Sequence, residues 1–595
     1  MEETPTKKTA AETAAMDPAH TVSTFEDLLE LAGTRGRWNI LMFCMCSISS
    51  FTAALPALSY QFLGATPDHW CSVQPLLEAN WTQQQILSFA IPFSNSTGKY
   101  ESCSMYDLNY AAAAEAGYDD AMADRWSLVG DSNDTIKCQS RDFNLTQYKS
   151  TVVTEWDLVC ERRVLYSSTQ SVVMGGKLLG YIVFGYLIDQ LGRRPLVLFC
   201  TALNILSSFL IAASPNVETY IFFKFVITMM DAGQYLGLFV FTMETCATKY
   251  RAAAGTLFVI PWALGYMAVP GIAYVARTWK VLQLAYAIPT LLAISFFVWL
   301  PESPRWLIIR GRHEEALKIM TQVAKVNKKT LPSDDQVLFV MKNIAQKPEA
   351  EDTDKDKGML ARVKLTLRQL LILFILPEFT VRSLVVIFCW CGASMVYYGL
   401  ALNADNINTD PYLYVFLGGV LEVPSYLLLW LALIYIGRKK ALSSLFLICG
   451  IFIFVLMTLI IVKLPGSEWA VVTFSQGGKV AITAGFQLAW MFTAELYPTC
   501  YRSYAVGMGS VFARVGAMAS PYINDILGLK AAWGPSALFG SVSVLAAIVT
   551  LLLSETGDSN LSEPTNSLAT KGKKDVSQNN SVTKAHENLS YVAED

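Results

Sequence analysis

Several ionisable or strongly polar side chains stand inside long apolar runs, where a charge is costly and marks a functional candidate. Arg514 lies in the run 504–525, close to the small residues Ala513 and Gly516. Its planar guanidinium can hold a carboxylate through two parallel N–H donors; a structural ion pair is the alternative. Glu422 lies in the run 411–435, two residues before Pro424. Its carboxylate can hold a quaternary ammonium, or pair with Arg514 when no ligand is bound. Both signs in one half of the chain point to a zwitterionic ligand. Lys224 and Asp231 are seven residues apart in the run 218–243 and share a helix face. Lys224, near a run end, is placed to snorkel; Asp231, deeper, suits a cavity or coupling-ion role. Gln476 and Lys479 share the run 470–492, and Lys177 stands in 164–188 with no role that the sequence assigns. Trp390, Tyr397, Tyr398, Tyr235 and Phe486 are candidates to box an alkylammonium by cation–π contact, against the simpler reading that they pack.

A second group of charges sits at run ends. Gly185 to Pro195 closes one run and opens another, crowding Asp189, Gly192, Arg193 and Arg194 into a tight turn before a helix-starting proline. Glu244, Arg251, Glu302, Arg305, Arg438, Glu495 and Arg502 occupy comparable places. These charges are expected to form an ion-pair gate rather than a binding site.

The elements that must position these residues are apolar helices. Of 595 residues, 53% are hydrophobic and 16% charged, against about a quarter charged in a soluble chain. The apolar residues gather into runs of roughly 20, the length that crosses a bilayer: 38–60, 164–188, 196–214, 218–243, 253–275 and 280–300, then 381–402, 411–435, 440–463, 470–492, 504–525 and 532–553. The expected fold class is all-α membrane, twelve transmembrane helices in two sets of six. The segments are a cytoplasmic N-terminus 1–37, a first half 38–300, a cytoplasmic middle loop 301–380, a second half 381–553 and a disordered tail 554–595. A short amphipathic helix begins at Phe25, and another spans about Glu314 to Val326. Residues 1–25 have no apolar core and do not read as a cleaved signal peptide.

Segment 61–163 carries Cys71, Cys103, Cys138 and Cys160 beside glycosylation sequons at Asn80, Asn95, Asn133 and Asn144. Together they predict a disulfide-bonded, glycosylated extracellular loop; four cysteines allow three pairings. The sequons at Asn560, Asn579 and Asn588 should be unused in a cytoplasmic tail. Arg193, Arg194, Lys249, Arg251, Arg305, Arg310, Arg312, Arg438, Lys439, Lys440 and Arg502 then fall inside, as the positive-inside rule requires, with Arg277, Lys280 and Lys463 as exceptions. Both termini are expected in the cytoplasm and the protein in the plasma membrane.

The halves repeat. Glu244 and Arg251 recur as Glu495 and Arg502; Gly192-Arg193-Arg194 recurs as Gly437-Arg438-Lys439; Pro301-Glu302-Ser303 recurs as Ser554-Glu555-Thr556. Parallel six-span repeats are the architecture of the major facilitator superfamily, with a ligand site between the halves. Ile434 stands where Asp189 stands in the first copy, so the latch should be weaker in the second half.

With these residues in view, residues 25–555 resemble the organic cation, anion and carnitine transporters, solute carrier family 22. The resemblance rests on Leu55 to Ser59 with Pro67 to Cys71, Trp156 to Cys160, Gly185 to Pro195, Pro301 to Trp306, and Ala494 to Thr499 with Arg502. Gly265-Tyr266-Met267, Gly399-Leu400 and Leu421 to Pro424 look most like the carnitine branch; Gly507 to Ser510 with Ala513 to Gly516 looks like the anion branch. Cation transporters of the family usually carry an acid where Arg514 stands. Lys479 resembles a lysine found throughout the family, so a fold or gating role competes with substrate contact. The resemblance implies a secondary transporter of carnitine-like organic cations or zwitterions that works by alternating access, with organic-anion exchange as the alternative. Coupling to Na+, to H+ or to exchange stays open, as does the oligomeric state. A net charge of −3 gives no reason to expect nucleic acid. The sequence holds no P-loop, metal-ligand spacing or nucleophile signature, so neither an enzyme nor an ATP-driven pump is expected. A transport-dead sensor is disfavoured by the complete first-half motifs.

Overall fold

The structure is a computed structural model that describes residues 24–94, 99–123, 134–346, 371, 373–375, 377–402, 410–463, 466–497 and 499–555. Helix α1, Phe25–Ala32, is capped by Thr24 and Asp27, each bonding the other's backbone N–H. The first half follows as α2 Arg37–Leu58, α3 Arg163–Leu191, α4 Arg193–Leu210, α5 Val217–Thr245, α6 Thr248–Val275 and α7 Trp279–Ala287, the last running on to Trp299. The segment between the halves forms α8 Pro304–Ile309, α9 His313–Val326 and α10 Asp334–Gln346. The second half comprises α11 Pro377–Ala401, α12 Pro411–Val420, α13 Glu422–Tyr435, α14 Arg438–Val462, α15 Glu468–Leu496, α16 Thr499–Tyr522 and α17 Gly534–Thr550.

Among the described residues, nine helical stretches are long and apolar enough to cross a membrane, six in the first half and three in the second. Helices α15, α16 and α17 occupy the places of the last three expected runs. Helix α15 buries Ser475, Gln476, Lys479 and Thr483, and α16 carries Arg514, which lowers their mean hydropathy. Helix α17 is apolar but only 17 residues long. The eighth run is broken at Leu421, because Pro424 has no N–H for the carbonyl of Val420. Glu422 therefore opens α13.

The repeat recurs in the packing. A Cβ on Gly265 of α6 would lie 2.5 Å from the Phe51 carbonyl of α2; one on Gly516 of α16 would lie 2.1 Å from the Cys391 carbonyl of α11. These glycines are 251 residues apart, the spacing that separates Glu244 from Glu495. Gly176 and Gly180 of α3 make the same kind of contact with α5, against the Phe225 and Met229 carbonyls.

The segment between α2 and α3 folds into short helices and three two-stranded antiparallel sheets. Strand β1, His69–Cys71, pairs with β2, Arg141–Phe143, so the loop's two ends meet. The bridges are Cys71–Cys138 and Cys103–Cys160, which selects one of the three possible pairings. A small core of Leu76, Trp81, Ile86, Phe89 and Tyr110 fills the loop. Asn80 is exposed and Asn144 half-buried; Asn95 and Asn133 lie outside the described residues, as do the tail beyond 555 and the charged segment 347–357.

The amphipathic helix expected ahead of the first span is α1. It packs Phe25, Leu28, Leu29 and Ala32 against Met320 and Val323 of α9 and Val337 and Met341 of α10. Asn327 ties this unit to α2: its Oδ1 accepts the Trp38 N–H at 2.9 Å, and its Nδ2 donates to the carbonyls of Ala32 and Gly33 at 2.9 Å.

The halves meet on the side of the disulfide loop. Ser171 donates to the Met518 carbonyl (2.8 Å), Ser168 bonds Tyr522 (3.0 Å), and Ser167 donates to Asp525 (2.5 Å). One apolar cluster there draws on both halves, from Leu55, Tyr60 and Tyr266 to Tyr414 and Leu456. Close helix packing at the two related glycines gives the first prediction. Gly265→Leu and Gly516→Leu each overpack a backbone contact, at a cost of about 1–3 kcal/mol or more. Both should abolish the monodisperse peak in fluorescence size-exclusion chromatography. Gly271→Leu should keep it, because nothing lies within 4 Å of its added Cβ.

Candidate functional site

Two clusters lie at the junction of the halves, joined by neighbouring tyrosines of α11. In the first, Glu422 is 2% exposed and accepts hydrogen bonds from Tyr397 (2.6 Å) and Tyr426 (3.2 Å). Beside it Lys479 donates to the Tyr266 hydroxyl at 2.6 Å and lies 3.8 Å from that ring's centroid and 5.8 Å from the Tyr397 ring. A side chain on Gly418 would collide with Lys479, so glycine makes the room. Gln476 donates to the Tyr414 carbonyl at 2.9 Å and leaves its own carbonyl oxygen buried without a partner.

In the second cluster Arg514 sits with its Cζ 5.3 Å from the Tyr181 ring centroid, its Nε unpaired, facing Tyr398. Lys177 reaches to 3.8 Å from Asp231 across the α3–α5 contact and 5.4 Å from the Trp262 ring. Tyr235 stands one turn beyond Asp231 and packs edge-on to Phe258. The Tyr397 and Tyr398 rings contact each other edge-to-face at 5.1 Å, so one tyrosine holds Glu422 while the next faces Arg514. Among the described residues, no base lies within ion-pair distance of Glu422 and no acid within ion-pair distance of Arg514. The ligand-free Glu422–Arg514 pair that the sequence suggested is not formed; tyrosine hydroxyls satisfy Glu422 instead.

Other expectations are redirected. Trp390 is 1% exposed, donates to Thr493 at 2.9 Å and packs on Phe486 and Trp490, inside the core of the second half. Lys224 does not snorkel: it is 1% exposed, 3.4 Å from the Ser59 hydroxyl, and lines a cavity of about 20 Å³ with Asn204, Ser208 and Gln283. Lys177, which the sequence left unassigned, is the partner of Asp231. Tyr181, Trp262, Tyr266 and Tyr426 went unnoticed as site residues because aromatics in apolar helices carry no periodic signal of their own.

Among the described residues, the charges at the helix ends away from the disulfide loop pair within each half. Arg193 grips Glu244 through two bonds, 2.7 and 3.0 Å, and reaches Asp189 at 3.2 Å. Glu302 accepts the backbone N–H groups of Arg193 (2.9 Å) and Arg194 (3.2 Å) at the start of α4. Burial pushes the Glu302 carboxyl up, and these N–H donors oppose the shift. The second half repeats the pattern: Arg438 reaches Glu495 at 3.2 Å, and Glu555 accepts the N–H groups of Arg438 (3.0 Å) and Lys439 (3.3 Å). Arg251 departs from expectation. It pairs with Glu26 of α1 at 2.5 Å and donates to the carbonyls of Met243 and Cys246, rather than joining Glu244. Arg305 lies on α8, and Arg502 lies near the start of α16 with its Nε unpaired. Among the described residues these inner ion pairs do not cross between the halves.

Residues 126–565 match the family model described as "Sugar (and other) transporter". The chain is 31% identical to the human "Organic cation/carnitine transporter 2" over 89% of its own length and 91% of that protein. It is also 31% identical to a Drosophila melanogaster "Beta-alanine transporter", over 90% and 88%. The chain belongs to solute carrier family 22. Its fold is that of the major facilitator superfamily: the xylose transporter XylE from E. coli, in an inward-open conformation, superposes with a TM-score of 0.55 at 14% identity, over 88% of this chain and 98% of that one. This family 22 protein is a multi-pass membrane transporter and not an enzyme. Its inner charges are unequal in strength, since Arg193 is bound bidentately and is 9% exposed, whereas the Arg438 side chain is 30% exposed. Glu244→Gln should therefore destabilise the purified protein by about 2 kcal/mol and Glu495→Gln by about half that, read as shifts in thermal midpoint.

Proposed function

We propose that this chain carries organic cations or zwitterions of the carnitine type across the plasma membrane by alternating access. The observation that carries the reading is the pair of opposite charges, Glu422 and Arg514, neither in an ion pair among the described residues, on either side of Tyr397–Tyr398. A ligand with an ammonium at one end and a carboxylate at the other neutralises both, which neither charge achieves alone in a low dielectric. Arg514 takes the carboxylate. Glu422 takes the ammonium, with Tyr397, Tyr426 and Tyr266 offering ring faces to its methyl or methylene groups. Tyr398 and Tyr235 line the space between, Gln476 and Lys479 bound it beneath the outer closure, and Asp231 lies on the opposite wall; Trp390 supports α11 from behind. The relatives' names fit, since carnitine and β-alanine each carry an amine-derived cation and a carboxylate.

Alternating access follows from where the halves touch. The structure is closed on the side of the disulfide loop, the outer side in this reading, with Asn80 and Asn144 available for glycosylation and both termini in the cytoplasm. Asp189, Arg193, Arg194, Glu244, Arg251, Glu302, Arg305, Arg438, Glu495 and Arg502 form the inner latch, and the halves must pivot to bring its two parts together.

The test is uptake of labelled carnitine, tetraethylammonium and para-aminohippurate in oocytes, with and without sodium. Carnitine is expected to move; uptake of para-aminohippurate alone would replace this reading with anion exchange. Losing a charge-assisted contact of about 1.5–3 kcal/mol, Arg514→Ala should raise the apparent KM for carnitine roughly 10- to 100-fold at unchanged surface abundance. An unaltered KM removes Arg514 from the site.

A further inference from the structure

A buried acid beside aromatic faces is the chemistry that captures an organic cation, and this protein has built one and filled it with its own side chain. Asp231 is 4% exposed at midspan in α5. Half-buried Trp262 of α6 and Tyr235 of α5 flank it, and Tyr181 lies one turn along α3 from Lys177. The ammonium of Lys177 sits in this surround, 3.8 Å from the carboxylate and 5.4 Å from the indole centroid. Its stem passes the α3–α5 contact where Gly176 and Gly180 let the two backbones approach. The group next in line is cationic too: Arg514, across the boundary between the halves, acts electrostatically on Lys177, Tyr181 and Tyr235.

We propose that Asp231, Trp262, Tyr181 and Tyr235 form a second cation subsite, facing the first half, and that Lys177 is its resident occupant and the residue that sets charge selectivity. With Lys177 in place Asp231 is paired, so among the described residues at the junction an incoming ammonium meets Glu422 as the acid without an ion-pair partner, and a ligand without a carboxylate faces Arg514 with nothing to offer it. Removing the lysine side chain vacates a tetrahedral ammonium and its stem, roughly the space of a small quaternary ammonium, and leaves an acid that needs a cation. The alternative, a purely structural pair, predicts lower stability when the lysine is lost and no new ligand.

The proposal rests on the proposed function only in placing ligands at the junction of the halves, and its test uses binding rather than carnitine transport. Wild type, Lys177→Ala, Lys177→Arg and the double variant Lys177→Ala with Asp231→Asn are purified in detergent, and stabilisation by tetramethylammonium is read as a shift in thermal midpoint. Lys177→Ala should bind tetramethylammonium at least tenfold more tightly than wild type. Lys177→Arg should resemble wild type, and the double variant should lose the gain. Equal binding by Lys177→Ala and wild type, or by the single and double variants, overturns the proposal. Should Lys177→Ala fail to fold alone, its expression is measured with tetramethylammonium in the medium: recovery supports the subsite, and no recovery while the double variant folds counts against it. Failure of wild type to move carnitine would remove the proposed function and leave these binding results to stand by themselves.

Discussion

The structure depends on how charge is held where water is scarce. Glu422 is almost fully buried, and the hydroxyls of Tyr397 and Tyr426 satisfy it rather than a cation. Neutral donors stabilise a carboxylate less than a guanidinium would, so the acid keeps most of its appetite for positive charge. Arg514, facing rings and hydroxyls, keeps its appetite for negative charge in the same way. The adjacent tyrosines of α11 hold the two charges apart while coupling them through one ring contact. A direct Glu422–Arg514 pair would be more stable in the empty protein, and a ligand would then have to break it before binding.

The repeat gives the machine its two matched levers and also its bias. Gly265 and Gly516 set the same backbone approach in each half, and Glu302 and Glu555 cap the same helix starts. The copies diverge where function differs. Asp189 reaches Arg193 in the first half, while its counterpart position holds isoleucine. The first half is further loaded by α1 and the inner helices, through Asn327 and through Glu26 on Arg251.

Much of this was legible in the chain itself. Runs of fixed length between charged turns specify spans, because a bilayer imposes one thickness. The repeated Glu, Arg and Gly positions predicted the paired inner charges, and Glu422 and Arg514 stood out because each breaks an apolar run. What failed was partner choice. Arg251 matched Arg502 by spacing, yet Glu26, more than two hundred residues away in sequence, claims it. Asp231 reads as a cavity or coupling-ion residue, and nothing along α5 reveals that Lys177 of α3 lies against it. Trp390 looked like a cage residue, but its indole N–H is spent on Thr493. Periodicity says which face of a helix is buried; it does not say which neighbour covers that face.

The two sides of the molecule differ in whether their polar contacts run between the halves or within them. On the side of the disulfide loop Asp525 accepts from Ser167 and lies 3.9 Å from Arg163, and neutral bonds join Ser168 to Tyr522 and Ser171 to a carbonyl, with Lys479 on Tyr266. Hydrogen bonds of this kind between helices in a membrane are worth about 0.6 kcal/mol each on average. On the opposite side the Arg193–Glu244 and Arg438–Glu495 pairs each lie within one half. A ligand shifts the balance between two such arrangements only by its differential affinity for them.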